Sequence, residues 1–287
     1  MTYQLYLGDY AYSSWSLRGW LLFEKFGIER SVRVLDFTQA SVSEQLNLAP
    51  AKTVPTLVTS EGAIIDDSLA IAEELASRHP EKPFWPSDPL ARATARTLTA
   101  EMHSSFTALR ADCPMNLRLS YRDAAPSDNV RADLNRIETL WDHARKICGG
   151  DGPWLFGDYS IADVFYAPVA ARIAGYNLPV NDTAQAYVAT HLADPAFRRW
   201  RAMGLVRGET LTWYAKPYDT RRWPGPAPLP ARAVDGTEAE NAACPYSGDP
   251  VTHVLELDGR RFGFCNAFCR DKTVADPAAW PAFMALV

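Results

Sequence analysis

A hydroxyl-rich segment at residues 13–16, Ser-Ser-Trp-Ser, joins a short apolar run at residues 3–7 to an apolar stretch at residues 17–26. The first run is typical of a buried strand and the second of a helix, so the serines are predicted at the amino-terminal end of that helix. A helix N-terminus presents unpaired N–H groups and the positive end of the helix dipole, which stabilise an anion such as a thiolate. The pattern therefore favours a fold that starts with a strand and a helix and holds a thiolate at their junction. Taken alone, the same serines are more simply interpreted as a helix cap followed by a turn.

Two later segments are predicted to complete a binding site at this junction. Pro55 opens an apolar strand after Val54, and we expect a cis bond that turns the Val54 backbone outward to pair with an extended peptide. Asp67 and Ser68 stand at the start of the next predicted helix, where Ser68 suits a carboxylate and Asp67 an ammonium group. Taken singly, these two residues are again more simply interpreted as a helix cap. Together the three segments fit a small peptide with a thiol, a backbone and an amino-acid end, and glutathione has all three.

Residues 1–82 resemble the thioredoxin-fold domain of the glutathione transferase superfamily, most of all its zeta class, which includes maleylacetoacetate isomerases. The motifs that carry the resemblance are Ser13-Ser14-x-Ser16-x-Arg18, Pro50-x-Lys52-x-Val54-Pro55-Thr56-Leu57 and Ser68-Leu69-Ala70-Ile71. The class often has glutamine where this chain has Thr53 and Asp67.

The resemblance implies a role for each matched residue. Ser13 is expected to contact the glutathione sulfur with Ser14 beside it. Val54 is expected to pair with the cysteinyl backbone. The resemblance implies a catalytic set of Ser13, Ser14 and Arg18, and a glutathione-binding set of Thr53, Val54, Pro55, Asp67 and Ser68, the last two for the γ-glutamyl group.

Length, charge and cysteine content limit the classes of protein that this chain can represent. With 287 residues, the chain is too long for one domain to be the default. A net charge of −5 without a long basic run gives no footprint for nucleic acid or anionic lipid, and no apolar stretch approaches the length of a membrane span. Five cysteines, an odd number, argue against a disulfide framework and predict a reducing, cytoplasmic environment.

The segment 90–222 is predicted to be an all-helical substrate domain. Apolar residues recur at helical spacing in two stripes, namely Leu98, Met102, Ser105 and Leu109, and then Val130, Leu134, Ile137, Trp141, Ala144 and Cys148. Ser160-x-x-Asp163 predicts a capped start to a later apolar helix, and an Asp163→Ala substitution is expected to cost on the order of 1 kcal/mol. The segment resembles the helical domain of the same superfamily, which supplies the pocket for the electrophile.

Two polar residues of the helical domain are weighed as substrate ligands. Asn116 lies in a Pro-x-Asn-Leu-Arg segment similar to one near the electrophile pocket of the zeta class, although a turn former is the simpler interpretation. The class also uses a basic residue after its core helix, and Arg172 is out of register with that position. Conjugation and isomerisation therefore both stay open.

The proline-rich segment 223–241 is predicted to be a stiff linker to a small module at residues 242–287. Two strand-like runs surround an Asp258-Gly259 turn, and a short helix follows, which predicts a ββα, treble-clef-like unit. Cys244, Cys265 and Cys269 form a C-x20-C-x3-C pattern, and three thiolates favour zinc or another soft metal. The pattern resembles the YHS/TRASH group of metal domains. A metal-free module is equally open, and His253 is interpreted as a packing residue rather than a fourth ligand.

The complete prediction is thus an α/β thioredoxin-like domain, an all-α domain and a small cysteine module. The function that it favours is glutathione transfer: the helix activates a glutathione thiolate that attacks a small electrophile, by conjugation or by cis-trans isomerisation. The superfamily resemblance implies a homodimer. The alternative is a non-enzymatic glutathione- or metal-binding sensor or adaptor that uses the cysteine module.

Overall fold

A computed structural model describes residues 3–122, 124–149 and 151–287 of the chain. The N-terminal domain consists of β1 (Tyr3–Leu7), α1 (Ser14–Phe26), β2 (Arg30–Val34), α2 (Val42–Leu46), β3 (Thr56–Val58), β4 (Ile64–Ile65) and α3 (Ser68–Arg78). Its sheet has the order β2-β1-β3-β4, with β1 parallel to β2 and antiparallel to β3, and β3 antiparallel to β4. The predicted thioredoxin-like domain is confirmed, and α1 begins at the serine cluster as the sequence pattern indicates.

The position of α1 is fixed by both of its ends and by its buried face. Ser13 is the N-cap, and Gly27 ends the helix at a φ of 63°, a conformation that glycine adopts at little cost. Leu17, Leu21 and Leu22 are each at most 1% exposed, because they pack between the sheet and the helical domain. Burial of this face anchors the helix, so its N-terminus is held rigidly beside the end of β1.

The second domain is helical. It comprises α4 (Pro89–Ser104), α5 (Thr107–Asp112), β5 (Ser120–Tyr121), α6 (Asp128–Cys148), α7 (Ile161–Tyr176), α8 (Asp182–Ala193), α9 (Pro195–Val206) and β6 (Thr220–Arg221), and β5 pairs with β6. Every residue of α7 is buried, which makes it the core of the domain. The first predicted stripe is interrupted between α4 and α5, because Phe106 adopts a left-handed φ of 59°. Among the described residues, no helix combines the length and the apolar character needed to cross a bilayer.

The C-terminal module contains β7 (Ala231–Val234), β8 (His253–Leu257), β9 (Arg260–Phe264), α10 (Ala267–Ala275) and α11 (Pro281–Met284). Asp258 and Gly259 connect β8 to β9 with positive φ angles, as expected of a tight hairpin turn. The sheet order is β7-β8-β9, so the segment predicted as a linker contributes a strand to the module. The strand is short and follows several prolines, so the local sequence predicts an extended linker rather than a strand.

The module is not separate from the rest of the molecule, because it packs on α9. Arg198 donates two hydrogen bonds to the Asp276 carboxylate, at 2.8 and 2.6 Å, and Arg199 donates to the Ala279 carbonyl at 3.0 Å. The side chains of the Arg198–Asp276 pair are only 15% and 11% exposed. These contacts tie the module to the helical domain through a charged pair that is shielded from water.

Candidate functional site

A cavity of about 660 Å³ opens at the N-terminus of α1, between the N-terminal and helical domains. The residues that line it from the N-terminal domain are Tyr12, Ser13, Ser14, Trp15, Phe37, Val42, Lys52, Thr53 and Val54. The residues that line it from beyond that domain are Thr107, Arg110, Ala111, Pro114, Met115, Arg172 and Tyr214. The described part of the chain contributes three basic side chains to this lining and no carboxylate. The cavity therefore has the size and charge of a site for a small anionic molecule.

Ser13 is engaged in the cap of α1. Its hydroxyl accepts from the Ser16 amide at 3.3 Å and donates to the Ser16 hydroxyl at 2.8 Å. The Ser16 oxygen in turn accepts from the Gly8 amide at 2.8 Å. This chain of bonds closes the junction between β1 and α1, so the helix-cap role considered for the serines is present in Ser13.

Ser14 belongs to a different hydrogen-bond network. Its hydroxyl oxygen accepts from the Arg172 guanidinium at 3.3 Å, across 158 positions of sequence. Arg172 also donates to the Cys113 carbonyl at 3.0 Å and to the Pro168 carbonyl at 3.1 Å, and it is only 5% exposed. Although Arg172 is out of register with the position that the sequence resemblance indicated, its side chain reaches the cavity.

Among the described residues, no carboxylate forms an ion pair with the guanidinium groups that surround Trp15. The guanidinium carbons of Arg18 and Arg110 each lie 4.4 Å from a Trp15 ring centroid. Burial, together with the neighbouring guanidinium charges, lowers the pKa of Arg18 to about 9 and that of Arg172 to about 10. Both groups still carry their charge at neutral pH. An anion in the cavity would relieve their mutual repulsion.

The residues predicted to bind the glutathione backbone and γ-glutamyl group lie in three kinds of place: on the cavity wall, behind that wall, and at the start of α3. The Val54-Pro55 bond is cis, which confirms that prediction, and Thr53 and Val54 line the cavity while Pro55 is buried behind them. Asp67 caps α3 by accepting from the Leu69 and Ala70 amides. The Ser68 hydroxyl is buried and has no hydrogen-bond partner among the described residues.

The second Asp67 oxygen lies 3.1 Å from Nε2 of His103, a residue of α4. The opposing effects of burial, which disfavours the charged imidazole, and of Asp67, which favours it, leave the pKa of His103 below its usual value. The Asp67 side chain is 48% exposed. An ammonium group at this end of the site would therefore meet a carboxylate that is still accessible.

Five residues considered for this site at the sequence level lie outside the cavity lining, namely Pro55, Asp67, Ser68, Arg18 and Asn116. Arg18 is 1% exposed beneath Trp15, and its Nε and Nη1 atoms have no hydrogen-bond partner among the described residues. Asn116 is buried and accepts from the Arg118 amide at 3.0 Å. Sequence reasoning missed Arg110 and Trp15 as parts of the site, because the sequence offers no signal that brings them together.

The buried start of α7 shows what the Ser160-x-x-Asp163 pattern does. Asp163 is 0% exposed and accepts from the Leu155 amide, the Ser160 amide, the Ser160 hydroxyl and the Tyr187 hydroxyl. The predicted cap is confirmed, and two of its four donors, Leu155 and Tyr187, lie outside the motif. Asp163 therefore links the turn at Leu155, the start of α7 at Ser160, and α8 through Tyr187.

The module has a second candidate site, formed by its three cysteines. The sulfurs of Cys244, Cys265 and Cys269 all lie within 4.8 Å of one another, and the Cys265 and Cys269 sulfurs are 3.9 Å apart. The Ser247 hydroxyl donates to the Cys265 sulfur at 3.3 Å. His253 is not part of this group, and its Nδ1 lies 2.9 Å from the Thr252 hydroxyl.

Comparisons with known protein families match both of the larger domains. The model of the glutathione S-transferase N-terminal domain matches residues 12–78, and the model of the C-terminal domain matches residues 127–202. Both matches end before the cysteine module.

Maleylacetoacetate isomerases are similar to this chain in sequence. A probable maleylacetoacetate isomerase of Caenorhabditis elegans is 30% identical over 175 residues, which cover 58% of this chain and 77% of that protein. The Pseudomonas aeruginosa enzyme is 31% identical over 157 residues, covering 54% and 73%, respectively. The Dictyostelium discoideum enzyme is 33% identical over 147 residues, covering 48% and 67%.

Solved structures show the same fold at lower identity. A glutathione transferase homologue from Burkholderia, crystallised with glutathione, is 22% identical with a TM-score of 0.54, and the match covers 71% of this chain and 98% of that one. A glutathione S-transferase from Rhodospirillum rubrum is 22% identical with a TM-score of 0.53, covering 77% and 96%.

Proposed function

We propose that this chain, which belongs to the glutathione S-transferase family, binds glutathione at the N-terminus of α1 and transfers or adds its thiolate to a small anionic electrophile. The cavity supports this proposal through its location at the helix end, where backbone N–H groups and the helix dipole favour a thiolate. Val54 and Thr53 would flank the cysteinyl part of glutathione, and Asp67 and Ser68 its γ-glutamyl end. Of the catalytic set that the resemblance implies, Ser13 and Ser14 line the cavity, where one of the two hydroxyls would donate to the thiolate, and Arg18 lies buried beneath Trp15.

The single observation that carries the choice of electrophile is the charge of the cavity. Lys52, Arg110 and Arg172 line it, and no carboxylate of the described chain does. Glutathione has two carboxylates of its own, but Arg110 and Arg172 belong to the helical domain, where the second substrate is expected. A carboxylate on the electrophile would form charge-assisted hydrogen bonds there, each stabilising the complex by about 1.5–3 kcal/mol.

The chemistry begins with attack of the thiolate on an electron-poor carbon. In a conjugation, the new S–C bond persists and the electron pair leaves with a leaving group or takes up a proton. In an isomerisation, the S–C bond converts a C=C bond to a single bond, rotation follows, and the same S–C bond breaks to release the thiolate. The maleylacetoacetate isomerases to which the chain is similar make the second outcome the preferred one to test.

The deciding experiment compares an acidic electrophile, such as maleylacetone, with the neutral 1-chloro-2,4-dinitrobenzene at saturating glutathione. We expect Arg110→Met to raise KM for the acidic electrophile by about tenfold, because one charge-assisted bond is lost, and to leave KM for the neutral one unchanged. Arg131→Met, an exposed change on α6, is the matched control. Equal effects on both electrophiles would contradict the anionic specificity.

We also propose that the protein works as a homodimer in a reducing compartment. The support is family membership for the first and five free cysteines for the second. Light scattering coupled to size-exclusion chromatography at several protein concentrations measures the mass directly. A mass near that of one chain, 31.9 kDa, would contradict the dimer.

Metal binding by the cysteine module is a second proposed function. Tetrahedral zinc with Zn–S bonds of about 2.3 Å needs sulfurs about 3.8 Å apart, and the Cys265 and Cys269 sulfurs meet this requirement at 3.9 Å. The sulfur of Cys244 completes three ligands on one side of the site. The residues present therefore fit zinc or another soft metal with three protein ligands, and such an ion would staple the small module.

Elemental analysis of the protein as purified tests this second function. We expect about one zinc per chain, and less than a tenth of that in Cys269→Ser. Cys148→Ser, which changes a thiol of α6 outside the cluster, should keep the wild-type metal content. A folded, metal-free wild-type module that takes up no added zinc would refute the proposal.

A further inference from the structure

We infer that Ser14, positioned by Arg172, is the residue whose hydroxyl donates the hydrogen bond to the glutathione thiolate, while Ser13 serves as the helix cap. This inference rests on the proposed function, because it assumes that glutathione binds at the N-terminus of α1. It changes the roles that the sequence resemblance implied for the two serines.

The first step concerns the single proton of each hydroxyl. A serine hydroxyl donates one hydrogen bond and accepts up to two. Ser13 already donates its proton to the Ser16 oxygen at 2.8 Å, and it accepts from the Ser16 amide. To donate to a sulfur, Ser13 would have to give up its bond to Ser16.

Ser14 has the opposite arrangement. Its oxygen accepts from the Arg172 guanidinium at 3.3 Å, and arginine has no acceptor to offer in return. The Ser14 proton is therefore directed away from Arg172. Since Ser14 lines the cavity and is the first residue of α1, this proton is available at the helix end where a thiolate would be held.

Arg172 is itself fixed in place by the helical domain. It donates to the backbone carbonyls of Cys113 and Pro168, at 3.0 and 3.1 Å, so two of its nitrogens are occupied and the third is aimed at Ser14. The position of this residue on the buried helix α7 leaves it little freedom. Arg172 thus acts on the thiolate mainly through Ser14 and is a positioning residue.

Ultraviolet titration of the thiolate band of protein-bound glutathione tests the assignment. We expect Ser14→Ala to raise the pKa of the bound thiol by about one unit, so that about tenfold less thiolate forms below that pKa. Ser14→Thr, which keeps a hydroxyl, should restore most of the wild-type value. Ser13→Ala should leave the thiol pKa unchanged. The reverse result for the two alanine variants would overturn the inference.

The role of Arg172 is tested by combining Arg172→Met with Ser14→Ala. If Arg172 acts through Ser14, the two substitutions together raise the thiol pKa no further than Ser14→Ala alone. An equal shift from Arg172→Met in both backgrounds would show direct action on sulfur and overturn the positioning role. Should Arg172→Met fail to fold, Arg172→Lys in both backgrounds provides the same cycle.

The same titration separates this inference from the proposed function. A wild-type protein that binds no glutathione, or binds it only as a thiol, would contradict the proposed function. A wild-type thiolate band that persists at the same pKa in Ser14→Ala would contradict only the inference about Ser14.

Discussion

The N-termini of α1 and α7 both carry a serine cap, but they differ in what occupies the first turn. At α7 a buried carboxylate, Asp163, accepts from four donors and closes the helix end completely. At α1 there is no acidic residue in the first turn, and the hydroxyl of Ser16 takes part in the cap instead. A carboxylate in the first turn therefore occupies the free donors and neutralises the positive end of the helix dipole. Without such a carboxylate, that helix end stays available to a ligand.

The largest effect on stability is expected from Asp163→Ala, which removes the carboxylate from the N-terminus of α7. Four donors lose their acceptor, and three of them belong to the backbone or to buried Tyr187, so we expect the free energy of unfolding to fall by about 4 kcal/mol. This exceeds the 1 kcal/mol expected from the motif alone, because Leu155 and Tyr187 add partners that the sequence pattern does not reveal. Urea denaturation measures the change.

The exposed Asp158→Ala, five residues before Asp163, is the control and should change stability by less than about 0.5 kcal/mol. The thiol pKa of bound glutathione should be the same in Asp163→Ala as in the wild type under conditions where both are folded. A large shift in that pKa would show that the α7 cap also serves the ligand site.

The second test of the comparison places a carboxylate at the N-terminus of α1, which has none in the native sequence. Ser14→Asp puts a carboxylate at the start of α1, where it pairs with Arg172 and repels a thiolate. We expect the thiol pKa of bound glutathione to rise by about two units. Because an acidic residue suits a helix N-terminus, the melting temperature should not fall. Ser14→Asn, equal in size but neutral, is the control for shape, and an equal rise there would refute the role of charge.

A third prediction concerns His191, which packs on Trp154 and Tyr187 beside the closed end. Burial first, and then the charge of Lys25, lower its pKa to about 3, whereas the unfolded chain has an ordinary value of about 6.5. Below pH 6.5 the unfolded state therefore binds a proton that the folded state does not, and stability falls as the pH falls. Between pH 7 and pH 5, His191 alone should remove about 2 kcal/mol.

Urea denaturation at pH 7 and pH 5 measures this loss against His191→Phe, which should lack that part of the pH dependence. His143→Phe, an exposed histidine of α6, should keep it. If the two variants show the same pH dependence, His191 is not neutral in the folded protein.

The smallest effect is expected from Ser13→Ala. Loss of one N-cap should lower the free energy of unfolding by about 1 kcal/mol, and Ser13→Thr should recover most of it. Calorimetric melting measures the difference. A loss as large as that of Asp163→Ala would mean that the two helix ends are not built differently.

The sequence predicts the parts of the molecule that depend on neighbours along the chain. The strand-to-helix junction, the cis bond before Pro55, the cap of α3 and the turn at Asp258-Gly259 are confirmed, because each is encoded within a few residues. The same local logic fails between α4 and α5, where Phe106 breaks a continuous apolar stripe. It also fails at β7, where pairing with a distant strand overrides a proline-rich context.

The site itself is only half predictable for a related reason. Ser14 and Val54 are visible from motifs, but Arg172 reaches Ser14 across 158 positions, and Arg110 meets Trp15 only because α5 is placed against α1. Counting register along α7 places Arg172 away from the family position, yet its side chain lines the cavity. Long, flexible side chains thus limit how far spacing can predict a binding site.

Trp15 gives the cavity an optical property. Its ring lies under the Arg110 guanidinium at the cavity wall, so an anion that draws Arg110 away uncovers the ring and alters its fluorescence. The protein has nine tryptophans, and subtracting the spectrum of Trp15→Phe isolates this one. We therefore expect the emission of Trp15 to change when an anion binds in the cavity and displaces Arg110.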